Sequence, residues 1–160
     1  MKIAIGSDHR GRDAGAKLAS YLRTLGHVVD LLGDISIESC DYPDSAYLVG
    51  QAVSSGDADR GILLCSNGIG MSIAANKIQG VRAALVYDQN NAQKSKKHND
   101  ANVLCLSGES TPNQQLEKIV EAWLATDFEG GRHAKRVEKI NAIERGENPT
   151  KIANDHATAR

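Results

Sequence analysis

Five short apolar runs alternate along the chain with segments of helical spacing, at residues 2–7, 28–32, 62–65, 82–86 and 103–106. The apolar residues in these runs are mostly consecutive, which marks strands buried on both faces and so requires helices on both sides of the sheet. Strands that alternate with helices join into a parallel sheet through right-handed crossovers. The pattern predicts an α/β fold, a doubly wound sandwich with a five-stranded parallel sheet and one extra C-terminal helix.

The helical segments carry their own signals. Ala14, Leu18, Tyr21, Leu22 and Leu25 recur on one face, and Gly26 suits the position just past a helix end. Asp44 is expected to cap a helix carrying Ala46, Val49 and Val53 that stops near Gly56. A helix is predicted over 69–78, and a polar one up to Lys97. Thr111, Pro112 and Gln114 read as N-cap, first helical residue and capping-box partner for a helix buried through Leu116, Ile119, Val120, Trp123 and Leu124. A last helix from about Arg132 buries Val137, Ile140 and Ile143 and stops at Gly146. Without a linker or internal repeat, 1–147 is read as one domain and 148–160 as a polar, frayed tail.

Composition narrows the function classes. The chain has 160 residues, a formal net charge of −1 and 24% charged residues, so no basic field calls for nucleic acid. No apolar segment approaches the roughly 18–20 residues of a membrane span. Asp8, His9, Arg10 and Arg12 interrupt any secretory apolar region after Met1. Cys40, Cys65 and Cys105 form no CxxC pair, so neither a zinc knuckle nor a redox dithiol is indicated, and a reduced, cytoplasmic protein is expected. Cys40 and Cys105 read as structural.

In doubly wound sheets ligands lie beyond the carboxyl ends of the strands. Those ends carry Asp8 and His9 after the first run, and Cys65, Ser66, Asn67, Gly68, Ile69 and Gly70 after the third. A strand feeding a glycine turn and a helix aims backbone N–H groups at one point, where an anion is stabilised and a thiol ionises more readily. Gly68-Ile69-Gly70 is no dinucleotide fingerprint, because Ile73 takes the third glycine's place, and no lysine follows to make a Walker loop. The turn is thus either an anion cradle or a tight connection, and Cys65 either a reactive thiol or a small buried hydrophobe. Asp8 and His9 read equally as a loop cap with a surface histidine. His98 and Asn99 follow a lysine-rich helix, where a solvated turn is the plainer reading. Arg132 and Arg136 share a helix face at a spacing suited to a phosphate, although surface arginines are common.

Taken in order, these segments resemble the ribose-5-phosphate isomerase B family, which includes galactose-6-phosphate isomerase subunits. The resemblance is carried by Asp8-His9-Arg10-Gly11, Asp41-Tyr42-Pro43-Asp44, the Cys65–Ser72 turn with Ala74-Ala75-Asn76-Lys77, His98-Asn99-Asp100-Ala101-Asn102-Val103 and Glu129-Gly130-Gly131-Arg132-His133. It spans residues 2 to about 145 and implies a Rossmann-like, metal- and cofactor-independent aldose–ketose isomerase acting on a phosphorylated sugar. In that resemblance Cys65 shuttles the proton between C1 and C2, and the amides from Ser66 to Gly70 hold the enediolate oxygen. His98 opens the sugar ring and Asn99 orients the sugar. Asp8 binds hydroxyls, while His9, Arg132 and Arg136 hold the phosphate. His98 and Asn99 reach the site from a neighbouring subunit, so a homodimer or homotetramer is implied.

Two positions depart from the family pattern. Ser66-Asn67 stands where many members have a Gly-Thr pair, which replaces a hydroxyl at 67 by an amide. Glu109 stands where many have a phosphate-binding arginine, and a carboxylate there either turns away or serves another ligand. Ribose 5-phosphate and ribulose 5-phosphate are the leading pair. The alternatives are an allose or galactose 6-phosphate isomerase, a sugar-phosphate-binding protein without turnover, and a cysteine hydrolase using Cys65 and His98.

Overall fold

The computed structural model describes residues 1–33 and 39–153. Its elements run β1 (Lys2–Ser7), α1 (Arg12–Thr24), β2 (Val28–Leu32), α2 (Tyr42–Ser55), β3 (Arg60–Cys65), α3 (Ile69–Ala75), β4 (Ala83–Leu85), α4 (Gln89–Asn99), β5 (Val103–Ser107), α5 (Asn113–Leu124) and α6 (Arg132–Glu144), with a short 3₁₀ turn at Pro149–Lys151. The five strands form one parallel sheet, as the alternation of runs predicts, and their order is β2-β1-β3-β5-β4.

Alternation within each run assigns its residues to two cores. Ile3, Ile5, Ile62, Leu64, Leu104 and Leu106 face one side, where Leu18, Leu22, Leu116, Ile119 and Trp123 of α1 and α5 cover them. Ala4, Leu63, Cys65, Val103 and Cys105 face the other, under Ala46, Val49, Met71 and Ala75 of α2 and α3. Burying an apolar side chain is worth about 1.5–3 kcal/mol, so both faces hold the central strands β1, β3 and β5 in register. Cys105 is fully buried, which pushes its thiol pKa up, in keeping with a structural role. Cys40 is only half-buried.

Several boundaries differ from those expected. Helix α2 is preceded by Asp41, not Asp44, because Pro43 already occupies its first turn. Helix α5 begins after Pro112, whose ψ of 142° is extended, so neither Thr111 nor Gln114 forms a capping box. Helix α3 stops at Ala75, where Asn76 donates from Nδ2 to Ser72 and Ala83 carbonyls and accepts from the Ala83 N–H, stitching the helix end to β4. Helix α4 extends to Asn99 and ends on Asp100 in the left-handed conformation (φ 48°), so His98 and Asn99 are helical and not in a turn.

In α6 the buried residues are His133, Val137 and Ala142, while Ile140 and Ile143 are 42% and 61% exposed. These two line an open groove of about 650 Å³ beside the edge strand β4, shared with Val81, Ala83 and Asn99. Of the expected tail, Asn148 caps the 3₁₀ turn through the Thr150 N–H, and residues 154–160 lie outside those described.

Candidate active site

At the carboxyl end of β3 the backbone turns from Cys65 into α3 through Gly68, whose φ of +80° suits glycine. A Cβ there would also lie 2.7 Å from Leu85 and 3.1 Å from the Leu106 backbone. The turn directs the Gly68 N–H onto Cys65 Sγ at 3.1 Å, and the Ile69 N–H onto Asn67 Oδ1 at 3.0 Å. Asn67 therefore closes the turn with its amide oxygen, and two of the expected anion-holding amides, Gly68 and Ile69, already serve the turn's own side chains.

The loops after β1 and β5 pack against this turn. Asp8 is buried, and its Oδ1 accepts the Arg10 and Gly11 N–H groups, both at 2.9 Å, so the loop-cap reading of Asp8 is realised. His9 beside it is exposed. Gly11 permits the close approach, since a Cβ would sit 2.3 Å from the Leu64 carbonyl oxygen. From β5, the Gly108 N–H donates to the Cys65 carbonyl at 2.8 Å and the Ser107 hydroxyl to the Ser66 carbonyl at 2.5 Å. The Ser66 hydroxyl donates to Glu109 Oε2 at 2.6 Å, and Arg10 Nη1 to Oε1 at 2.9 Å. Ser66 first, and Arg10 second, hold the Glu109 carboxyl below the usual carboxylate range.

A second cluster gathers the remaining predicted residues. His98, in the last turn of α4, stacks on His133 of α6 with centroids 4.3 Å apart and planes 7° from parallel. Arg132 Nε donates to His133 Nε2 at 3.4 Å, and Lys97 pairs with Glu129 at 3.3 Å. Burial, and then the neighbouring His98, lowers the His133 pKa. Asn99, Arg132 and Arg136 are exposed nearby on the same two helices.

The two clusters occupy opposite edges of the sheet. Helix α4 leaves the carboxyl end of β4 and runs back about 16 Å, at 1.5 Å per residue, to the amino end of β5. Cys65 ends β3 at the carboxyl edge, whereas His98 and Asn99 precede β5 at the amino edge. Among the described residues no hydrogen bond, ion pair or ring contact joins the clusters. Asp8, His9 and the 65–70 turn come together in one chain. His98, Asn99, Arg132 and Arg136 form a separate group.

His98, Glu129 and His133 bring ligand atoms within 4.8 Å of one another. The donor set does not suit a metal ion. Nearly parallel stacked imidazoles aim their in-plane lone pairs along parallel planes and not at one point, while Arg132 and Lys97 already place cations on His133 and Glu129.

A family model described as Ribose/Galactose Isomerase matches residues 3–140, nearly all of the described chain. The chain belongs to the Ribose/Galactose Isomerase family. Ribose-5-phosphate isomerase B of Escherichia coli is 44% identical over 147 residues, 92% of this chain and 99% of that one. D-erythrulose-4-phosphate isomerase of Pectobacterium atrosepticum is 41% identical over 148 residues, 92% and 97% of the two chains. The structure of ribose-5-phosphate isomerase B from Clostridium thermocellum superposes with a TM-score of 0.89 at 46% identity, covering 91% of this chain and 99% of that one. Within this member of the family, three features escaped sequence reasoning: the His98–His133 stack, the Ser66–Glu109–Arg10 chain and the extent of α4. The first had a readable signal, since His133 and Val137 are four residues apart and share the buried face of α6.

Proposed function

We propose that this chain is an aldose–ketose isomerase that interconverts ribose 5-phosphate and ribulose 5-phosphate through an enediolate. The observation that carries the reading is the Cys65 thiol, set by the Gly68 N–H at the carboxyl edge beside Asp8 and His9, in a member of an isomerase family. Sulfur takes the proton from C2 of the open-chain aldose and returns it to C1, while the O2 proton leaves and O1 gains one. No redox partner is needed, because one carbon is oxidised as its neighbour is reduced. N–H groups of the turn, Ser66, Asn67 and Gly70 among them, stabilise the oxygen that becomes negative.

In this reading His98 and Asn99 come from a second copy, together with Arg132 and Arg136, because one chain holds the two groups on opposite edges. His98 opens the furanose ring as acid or base and Asn99 orients the sugar. His9 and the two arginines hold the phosphate, for which a guanidinium fork is well matched. Asp8 keeps one carboxylate oxygen on its loop and offers the other to a sugar hydroxyl. No residue assigned here requires a metal or an organic cofactor.

The test is ketose formation from ribose 5-phosphate, allose 6-phosphate and galactose 6-phosphate, each with chelator present, for the wild type and Cys65→Ala. The reading predicts turnover of ribose 5-phosphate that chelator does not abolish, with loss of turnover and retained sugar-phosphate binding in the variant. Full activity of Cys65→Ala removes sulfur from the mechanism. Turnover of a hexose phosphate alone moves the substrate to the six-carbon alternative, and binding without any turnover identifies a sugar-phosphate-binding protein.

A further inference from the structure

The carboxylate of Glu109 lies where the three loops of the carboxyl edge meet, and each oxygen has its own partner: Ser66 on Oε2 and Arg10 on Oε1. Ser66 directly follows Cys65, so a negative charge stands one side chain away from the turn proposed to receive an anionic sugar. Such a charge opposes that ligand unless it is matched, and the Arg10 guanidinium matches it. The Arg10 side chain is 54% exposed and would otherwise sample many rotamers. Here it is held at both ends, by its own N–H on Asp8 Oδ1 and by Nη1 on Glu109. A guanidinium offers five N–H donors in a planar fork, and Glu109 engages it through Nη1 alone. Arg10 directly follows His9 in the loop after β1, on the carboxyl edge where the site is proposed.

We propose that Arg10 contacts the phosphate of the substrate, and that Glu109 is the positioning residue that holds it there. The proposal rests on the sugar-phosphate reading of the site and adds a recognition pair to it. Glu109 also takes the Ser66 hydroxyl as its donor, so the carboxylate fixes the turn and the anion-binding group at once.

The experiment is calorimetric titration of the full chain with inorganic phosphate and, separately, ribose 5-phosphate, for wild type, Arg10→Ala, Arg10→Lys, Glu109→Gln and the Arg10→Ala/Glu109→Gln double variant. Arg10→Ala should weaken both ligands about tenfold and raise KM with kcat largely kept, since a phosphate contact is made in ground and transition states alike. Arg10→Lys should recover part of the loss. Glu109→Gln should weaken binding by less, and the double variant should match Arg10→Ala alone. Unchanged affinity in Arg10→Ala reduces the pair to a surface ion bridge and overturns the proposal. Tighter binding in Glu109→Gln also overturns it, by showing the carboxylate opposing the ligand. If the wild type binds phosphate through Arg10 yet isomerises no sugar phosphate, the isomerase reading fails while the Arg10 assignment stands. If it isomerises ribose 5-phosphate and Arg10→Ala is unchanged, the converse holds.

Discussion

Burial against His98 keeps the His133 imidazole below the ordinary histidine range, with loss of solvent the larger cause. The unfolded chain binds a proton at this residue near pH 6.5 while the native chain resists it, so native stability falls as pH drops through that value. Glu109, Glu129 and Glu147 act lower. Each is held below the usual carboxylate range, chiefly by hydrogen bonds from Ser66, Lys97 and Arg145 respectively. Their contribution is complete above that range and is lost only as pH falls through it. Thermal melts between about pH 7 and pH 5.5 should therefore show a falling midpoint in the wild type and a flatter one in His133→Gln. Equal slopes would place the acid sensitivity elsewhere.

Gly68 shows what one element boundary costs. Its positive φ, and the Leu106 backbone 3.1 Å from where a Cβ would stand, leave alanine no comfortable position. Gly68→Ala should destabilise the chain by about 1–3 kcal/mol, measured by denaturant unfolding, and displace the N–H that reaches Cys65. A stability change near zero would show that the turn adapts. The strands were legible because burial on both faces leaves an almost unbroken apolar run, as 103–106 shows. Helix ends were less so. Asp100 in the left-handed conformation, tied to Lys96 and Arg82, lets α4 run through His98 and Asn99, and no local propensity announces that. Ile140 and Ile143 have helical spacing yet face outward, because periodicity marks a face without saying what covers it. At the site, residue types and the Cys65 turn were readable from sequence, whereas the link from Ser66 through Glu109 to Arg10 joins positions up to 99 residues apart and needed the fold.

At the scale of the molecule, the alternation of strands and helices itself divides the proposed machinery. A crossover helix must carry its C-terminus to the edge opposite its start, so His98 cannot share an edge with Cys65 in one chain. On the proposed assignment of Cys65 and His98, two copies are the minimal catalytic unit, the carboxyl edge of one completed by the α4–α6 end of the other. The most direct test mixes two inactive variants, Cys65→Ala and His98→Asn, by co-expression or by refolding together, and measures ribose 5-phosphate isomerisation. Random pairing makes half the dimers mixed, each with one intact site of two, so activity should return to about a quarter of wild type. Mixed dimers that form and remain as inactive as either parent would contradict a site built from Cys65 of one copy and His98 of another.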